Sequence, residues 1–201
     1  MAIKFQYNKT SLQDLNKQLQ VRVRALPTIK NKETALRMEV KKAKDEAAIL
    51  ENKLDEKIKA YDYMTRLWSE FDPGLITIKD VEVSVKKIAG VRTPVLDDII
   101  FEIADFSLIN KPDWYFDGIK ILKELAQVAI EKEFFYRKMK LLDHARKKTT
   151  QKVNLYEKVQ IPGYEEAILK IKRFLEDEEN LDKSSQKIVK TRQQKAEEAQ
   201  I

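Results

Sequence analysis

The chain has no cysteine, and among its 201 residues there are only four glycines, five prolines and one histidine. Without cysteine there is no disulfide framework and no thiolate metal site. That leaves the compartment unconstrained, and a cytosolic protein fits. With so few turn residues the chain has few places to reverse direction, so its elements must be long. No run of about 18 apolar residues occurs, and the opening MAIKFQYNKT lacks the apolar stretch of a signal peptide, so neither a membrane span nor a secretory signal is expected. Gly74, Gly90, Gly118 and Gly163 are isolated, and none stands in the G-x-x-x-x-G-K spacing that brings backbone N–H groups to a phosphate. His144 has neither a second histidine nor a cysteine to form a metal site or a catalytic pair. The EDEE run at 176–179 reads as a solvated helix face. We therefore expect no catalytic residue, no cofactor and no metal.

What is present is charge and apolar residues in a helical rhythm. Charged residues make up 36% and hydrophobic residues 43%, too apolar for a disordered chain and matched to long helices or a coiled coil. The net charge of +6 has one source: residues 137–152, RKMKLLDHARKKTTQK, hold seven Lys or Arg against one Asp. That segment reads as a solvated or partner-facing helix surface. It lacks the interleaved aromatics that would stack nucleic-acid bases, so no nucleic acid is expected as a partner.

Counting heptads from Leu12 places Leu12, Leu19, Leu26, Glu33, Val40, Ala47, Leu54, Tyr61 and Trp68 at a. Leu15, Arg22, Ile29, Leu36, Ala43, Leu50, Lys57 and Met64 fall at d, and 14 of these 17 positions are apolar. A seam repeating every 3.5 residues keeps facing one partner, which is the pattern of a left-handed coiled coil. Thr10 or Ser11, with Asp14 behind it, reads as the cap, and Pro27 as a kink at most. The first helix is expected over about 9–70, roughly 90 Å at 1.5 Å per residue. Asp72-Pro73-Gly74 then punctuates the chain. Val81, Val83 and Val85, and later Ile99, Phe101 and Ile103, recur at period two around a turn region from Gly90 to Pro94, which predicts a small β-hairpin domain over 71–113. A second long helix is expected over 114–195, with the last dozen residues frayed and Trp68 and Trp114 packing where the hairpin domain joins the helices. Neither helix can bury its seam alone. The fold class expected is mainly α: a long antiparallel two-helix coiled coil with a small β-hairpin-containing domain between the helices.

One stretch conflicts with this outline. KVNLYEKVQIPGYEEAILKIKRFLEDEEN, residues 152–180, reads as one amphipathic helix with Pro162 and Gly163 in its middle. These residues cost a helix interior about 3 and about 1 kcal/mol relative to Ala. Upstream, Phe134, Leu141, Ala145, Leu155 and Val159 fall on a frame that next reaches Pro162. Downstream, Ile161, Tyr164, Ile168, Ile171 and Leu175 follow a clean 3-4 frame. The seam has stepped by one residue and resumes at once, which predicts a kink or register shift at Pro162-Gly163 within a continuous helix.

The segments TSLQDLNKQLQ and IKNKETAL (29–36), followed by KTTQKVNLYEKVQIPGYEEAILKIKRFLEDEE (148–179), resemble the D subunit of the vacuolar/archaeal-type rotary ATPases. Ile29, Lys30, Lys32 and Leu36 match the family's N-terminal pattern. Lys148, Thr149, Val153, Asn154, Glu157, Ile161 and Pro162 match its K-T-x-x-x-V-N-x-L-E-x-x-x-I-P-like pattern, with Leu155 one position early. Glu33 and Thr34 depart from it, as do Thr150 and Gln151. The resemblance implies a bacterial central-stalk rotor shaft, non-catalytic, that transmits rotation between a catalytic hexamer and a membrane ion-translocating rotor. The partners it implies are the catalytic and nucleotide-binding subunits, the small F subunit of the central stalk, and the funnel-shaped stalk subunit at the membrane rotor. The implied place is cytoplasmic, peripheral to the inner membrane, with no direct membrane insertion. The interface candidates are Lys147, Lys148, Lys152, Ile161, Pro162 and Gly163, with Val91 and Arg92 in the hairpin's turn region. The alternative is a lipid-binding or scaffold coiled-coil module, which would not ordinarily carry a β domain between its helices.

Overall fold

The computed structural model describes residues 3–106 and 112–198. Asn110 and Lys111, part of the stretch expected to close the β region, lie outside the described residues. The helix α1 spans Lys9–Ala60, and a 3-10 turn at Asp62–Met64 leads into the short α2, Thr65–Trp68. A second 3-10 turn, Pro73–Leu75, precedes the antiparallel strands β1, Ile76–Ile88, and β2, Val91–Ile103. The helix α3, Trp114–Leu155, passes through a single π-helical turn at Tyr156–Gln160 into α4, Ile161–Glu198. The fold is mainly helical, with one two-stranded hairpin between the long helices.

The first helix ends at Ala60, short of the expected 70, but the heptad frame corresponds to burial along α1 and on through Tyr61, Met64 and Trp68. All 17 a and d positions from Leu12 to Trp68 are buried or half-buried, including Arg22, Glu33 and Lys57. Pro27 sits on the exposed face, and α1 continues through it. The start of α1 differs from expectation: Asn8 is the cap, its side-chain oxygen accepting from the Ser11 N–H at 2.7 Å. Ser11 is the third residue of the helix, and its hydroxyl accepts from the Gln6 N–H at 3.3 Å. At the other end, α4 stays helical to Glu198, so the fraying expected from residue 190 is not seen across 190–198.

The chain divides into two compact units, Met1–Asn31 with Thr150–Ile201, and Lys32–Thr149. In the first, α1 pairs with the π turn and α4. Lys30 meets Glu157 at 2.6 Å, Arg22 meets Gln160 at 2.7 Å, and Gln18 accepts from the Tyr164 hydroxyl at 2.7 Å. Partner numbers rise on one helix as they fall on the other, so the pair is antiparallel. Leu15, Tyr164, Ala167, Ile168 and Ile171 form the core, with Leu12, Leu19 and Leu175 packed around it.

In the second unit α1 pairs with α3 in the same sense, through Glu51–Lys132 at 3.3 Å and Lys57–Glu124 at 2.7 Å. Leu36 and Leu142 are fully buried. An aromatic cluster of Trp68, Phe71, Trp114 and Tyr115 closes the junction with the hairpin. The two tryptophans meet edge to face at 5.8 Å, as expected. Asp72 caps the Pro73–Leu75 turn by accepting from the Gly74 N–H at 2.9 Å, which is why the Asp-Pro-Gly sequence ends the helical region there.

The hairpin turns at Ala89-Gly90, not at Gly90 to Pro94. Ile88 pairs with Val91, so Val91, Arg92 and Pro94 are strand residues. Pro94 is accommodated because a two-stranded sheet leaves each strand an unpaired edge. Both turn residues have positive φ, 47° at Ala89 and 79° at Gly90, the geometry of a two-residue type I′ turn. Alanine carries a Cβ penalty there that asparagine and glycine largely avoid. Ala89→Asn should therefore stabilise the second unit by about 1 kcal/mol, read as a rise in its urea midpoint.

Candidate functional site

The Pro-Gly site is resolved by the turn that precedes it. In the π turn the Ile161 N–H donates to the carbonyl of Tyr156, five residues back, in place of the four of an α-helix. One extra residue is thereby inserted, and the buried face moves on by one. The half-buried stripe runs Ala145, Thr149, Val153, Tyr156, Gln160, then steps to Tyr164, Ile168 and Ile171. The register step expected from the sequence is present, but it lies at Tyr156–Gln160 and not on Pro162. Ile161 opens a new helical ladder, which leaves Pro162 in the first turn of α4, where a missing N–H costs little.

The upstream seam read from the sequence is displaced by one residue at three of its five positions, while Phe134 and Ala145 are half-buried. Leu141, Leu155 and Val159 are exposed, at 45, 40 and 39%, and the seam is built from Leu142, Thr149, Val153 and Tyr156. The choice could not be made on hydrophobicity, because both frames carry apolar side chains diluted by polar ones. Gly163 has a separate reason. A Cβ there would lie 3.2 Å from Cδ1 of Ile3, so the glycine admits the segment before α1 against the start of α4. That segment continues along α4, with Phe5 packed on the core and the Tyr7 ring 4.9 Å from Phe174.

The basic residues are solvent-facing. In the second unit Lys147 and Lys148 are exposed, with Lys147 3.0 Å from Asp143. Arg146 donates to the same carboxylate at 2.7 Å. These two bonds, Arg146 first, hold the Asp143 carboxyl below its ordinary range. The linked stabilisation is therefore complete above the ordinary carboxylate range and is lost as pH falls through the lowered value. Val91 is half-buried and Arg92 exposed at the hairpin's turn end, where Lys32 Nζ lies beside Gly90. In the first unit Lys152 lies over the Tyr156 ring at 5.8 Å, Ile161 is half-buried and Pro162 is exposed. Within the second unit Lys147 and Lys148 share one helix, while Val91 and Arg92 belong to the hairpin.

Sequence reasoning missed several exposed apolar groups. Tyr63, 81% exposed, and Phe116, 56% exposed, stand at the end of the second unit that carries the buried aromatic cluster. Tyr63 could have been noticed as an aromatic at a c position, off the seam. A cavity of about 410 Å³ lies between β2 and α3, lined by Leu96, Phe101, Phe134 and Phe135 together with Asp97, Asp98 and Glu131. From Glu176 to Lys195 every side chain of α4 is exposed, including Leu181 at 69%, Ile188 at 54% and Val189 at 52%. Among the described residues no helix is long and apolar enough to cross a membrane, and no group of acidic, His or Cys side chains is placed to hold a metal.

Comparisons with known sequences identify the family to which these helices and the hairpin belong. The profile of the family described as the D subunit of ATP synthase matches residues 11–191. The D subunit of a V-type ATP synthase from Borreliella burgdorferi is 33% identical over 193 residues, 94% of each chain. Its counterpart from Chlamydia pneumoniae is 28% identical over 199 residues, 94% of this chain and 93% of the relative. That of Chlamydia muridarum is 27% identical over 203 residues, 98% of this chain and all of the relative. A match of this length takes in both helical segments, the hairpin and the step at the π turn. The chain belongs to the D-subunit family of ATP synthases, as a V-type central-stalk component.

Proposed function

We propose that this chain is the rotor shaft of a V/A-type ATPase or ATP synthase. It is non-catalytic itself and carries rotation between a catalytic hexamer and a membrane ion-translocating rotor. In this reading residues 9–70 and 114–195 are the shaft and 71–113 the part that meets its lower partners. The observation that carries the reading is the long stretch of α4 beyond Leu175. It is helical yet exposed on every side, with apolar Leu181, Ile188 and Val189 available to surfaces outside this chain. A helix so placed suits insertion into a ring of catalytic and nucleotide-binding subunits. Tyr63 and Phe116 suit docking to the small F subunit of the stalk or to the funnel-shaped component at the membrane rotor.

A shaft must resist twisting while its surface passes successive partners without binding any one too tightly. Seam packing with paired polar residues supplies stiffness. The exposed Lys147, Lys148 and Lys152 supply a weak, salt-sensitive attraction to acidic surfaces. Reversing all three to Glu should weaken assembly with the hexamer by about a hundredfold at low salt, since each exposed pair is worth roughly 0.5 kcal/mol and reversal replaces it with a repulsion of similar size. The measurement is ATP-driven ion pumping per ATP hydrolysed in the reconstituted complex, where unchanged coupling would remove the basic segment from the interface. The reading as a whole is tested by purification from native membranes. One copy of this chain per three catalytic chains is expected, and its absence from the ATPase fraction would overturn the assignment.

A further inference from the structure

The exposed part of α4 changes sign along its length. Residues 176–182, EDEENLD, hold five acidic side chains and no basic one, and residues 183–195, KSSQKIVKTRQQK, hold five basic and no acidic one. The first unit balances the acidic run itself. Glu176, Glu178, Glu179 and Asp182 line one groove with Lys9 and Lys172, and Glu179 meets Lys183 at 2.8 Å. The basic run has no such balance. Of its five cations, only Lys183 is ion-paired among the described side chains. Lys183, Lys187 and Lys190 stand at i, i+4 and i+7, so they share one side of the helix and repel one another. Leu181 and Ile188, seven residues apart, line the opposite side, 69 and 54% exposed.

A stripe of unpaired like charges weakens a helix that has no neighbour to pack against. An anionic surface outside the chain removes that cost, and the adjacent acidic run says which kind. The two runs are centred about ten residues apart, or about 15 Å along the axis. Duplex nucleic acid and an anionic membrane are negative without interruption over that distance, so a helix lying on either would bring the acidic run against like charge. A folded protein surface can confine its acidity to one level, and it can also cover Leu181 and Ile188. Resting on the shaft reading above, we propose that Lys183, Lys187 and Lys190 dock on an acidic patch in the lining of the ring of catalytic and nucleotide-binding subunits. The stripe occupies one side of the helix, so it meets one part of that lining at a time and passes to the next as the shaft turns. Exposed pairs of this kind are weak and salt-sensitive, which suits a contact that must be released at every step.

The test is calorimetric titration of the purified hexamer of catalytic and nucleotide-binding subunits with the full chain. Lys183→Glu/Lys187→Glu/Lys190→Glu should bind about a hundredfold more weakly at low salt, and raising the salt should shrink the difference. Glutamate at 183 also loses the pair with Glu179, so Lys183→Gln/Lys187→Gln/Lys190→Gln is the second variant. Its helix content, checked by circular dichroism, should match the wild-type chain, and its affinity should fall about tenfold. Phosphatidylcholine vesicles with about a third phosphatidylserine, and duplex DNA, are the other probes. Neither should distinguish the wild-type chain from the Glu variant at near-physiological salt. Vesicle or DNA binding that the Glu variant abolishes would overturn the proposal in favour of that surface. Hexamer binding that neither variant alters would overturn it and leave the shaft reading standing, whereas a wild-type chain that does not bind the hexamer would overturn both.

Discussion

Tyr115→Ala is expected to destabilise the second unit by about 4 kcal/mol, in the range for losing a large buried aromatic from a packed core. Tyr115 is 2% exposed, and its ring meets Trp114 at 5.0 Å, Phe71 at 5.2 Å and Phe106 at 6.4 Å. It stands where the chain leaves α2, turns through Asp72-Pro73-Gly74, and later enters α3. The cluster therefore ties the root of the hairpin to both helices of that unit. Its hydroxyl donates to the carbonyl of Glu70, so Tyr115→Phe should cost about 1 kcal/mol by leaving that carbonyl without its partner. Urea unfolding followed by tryptophan fluorescence reports directly, because Trp68 and Trp114 are part of the cluster. Equal, small effects for both variants would mean that the cluster does not anchor the junction.

The second large effect concerns the π turn. Deleting one residue from a helix normally swings everything beyond it by about 100° and takes the seam off its partner. Deleting Lys158 should not, because the turn Tyr156–Gln160 already holds one residue too many, and its removal restores an unbroken α-helix with both seams aligned. Pro162 would then stand in a helix interior, which costs about 3 kcal/mol through the lost N–H and the clash with the carbonyl four residues back. The expectation is a loss of about 3 kcal/mol for the deletion alone, and nearly wild-type stability when it is combined with Pro162→Ala. Deleting Lys170 in the Pro162→Ala background is the control. It carries Ile171, fully buried, and Leu175 off the seam, and should cost several kcal/mol. Circular dichroism with urea measures all three. A Lys158 deletion as damaging as the Lys170 deletion, with Pro162 already replaced, would rule out the one-residue step.

Both predictions rest on reading periodicity against burial, and they mark where the sequence sufficed. The α1 seam was legible because most of its positions are apolar over eight heptads, and no other frame competes. The polar residues at Arg22, Glu33 and Lys57 did not disturb it. They pair with Gln160, Arg37 and Glu124 while keeping to the seam. The hairpin was legible as a hairpin from its β-branched alternation, but its turn was misplaced. Proline and arginine after Gly90 resemble loop residues, whereas Ala89 gives no sign that it would adopt positive φ. The interface candidates were legible as exposed charge and as an unusual Pro-Gly pair. Tyr63 and Phe116 were not, because nothing in the local pattern tells a buried aromatic from an exposed one.

By itself the sequence determined that the chain forms long helices paired in opposite sense, that a β-hairpin interrupts them, and that the second seam steps by one residue near Pro162. Turn scarcity and a 3.5-residue repeat leave no other way to bury that many apolar side chains. The tertiary structure decided which of two neighbouring stripes on α3 faces α1, that a π turn at Tyr156–Gln160 takes up the step, and that Gly163 is there to admit Ile3. Those choices depend on hydrogen bonds and close contacts between residues more than a hundred positions apart, such as Arg22 with Gln160 and Ile3 with Gly163. Local periodicity cannot rank two frames of similar hydrophobicity; only the partner's side chains can.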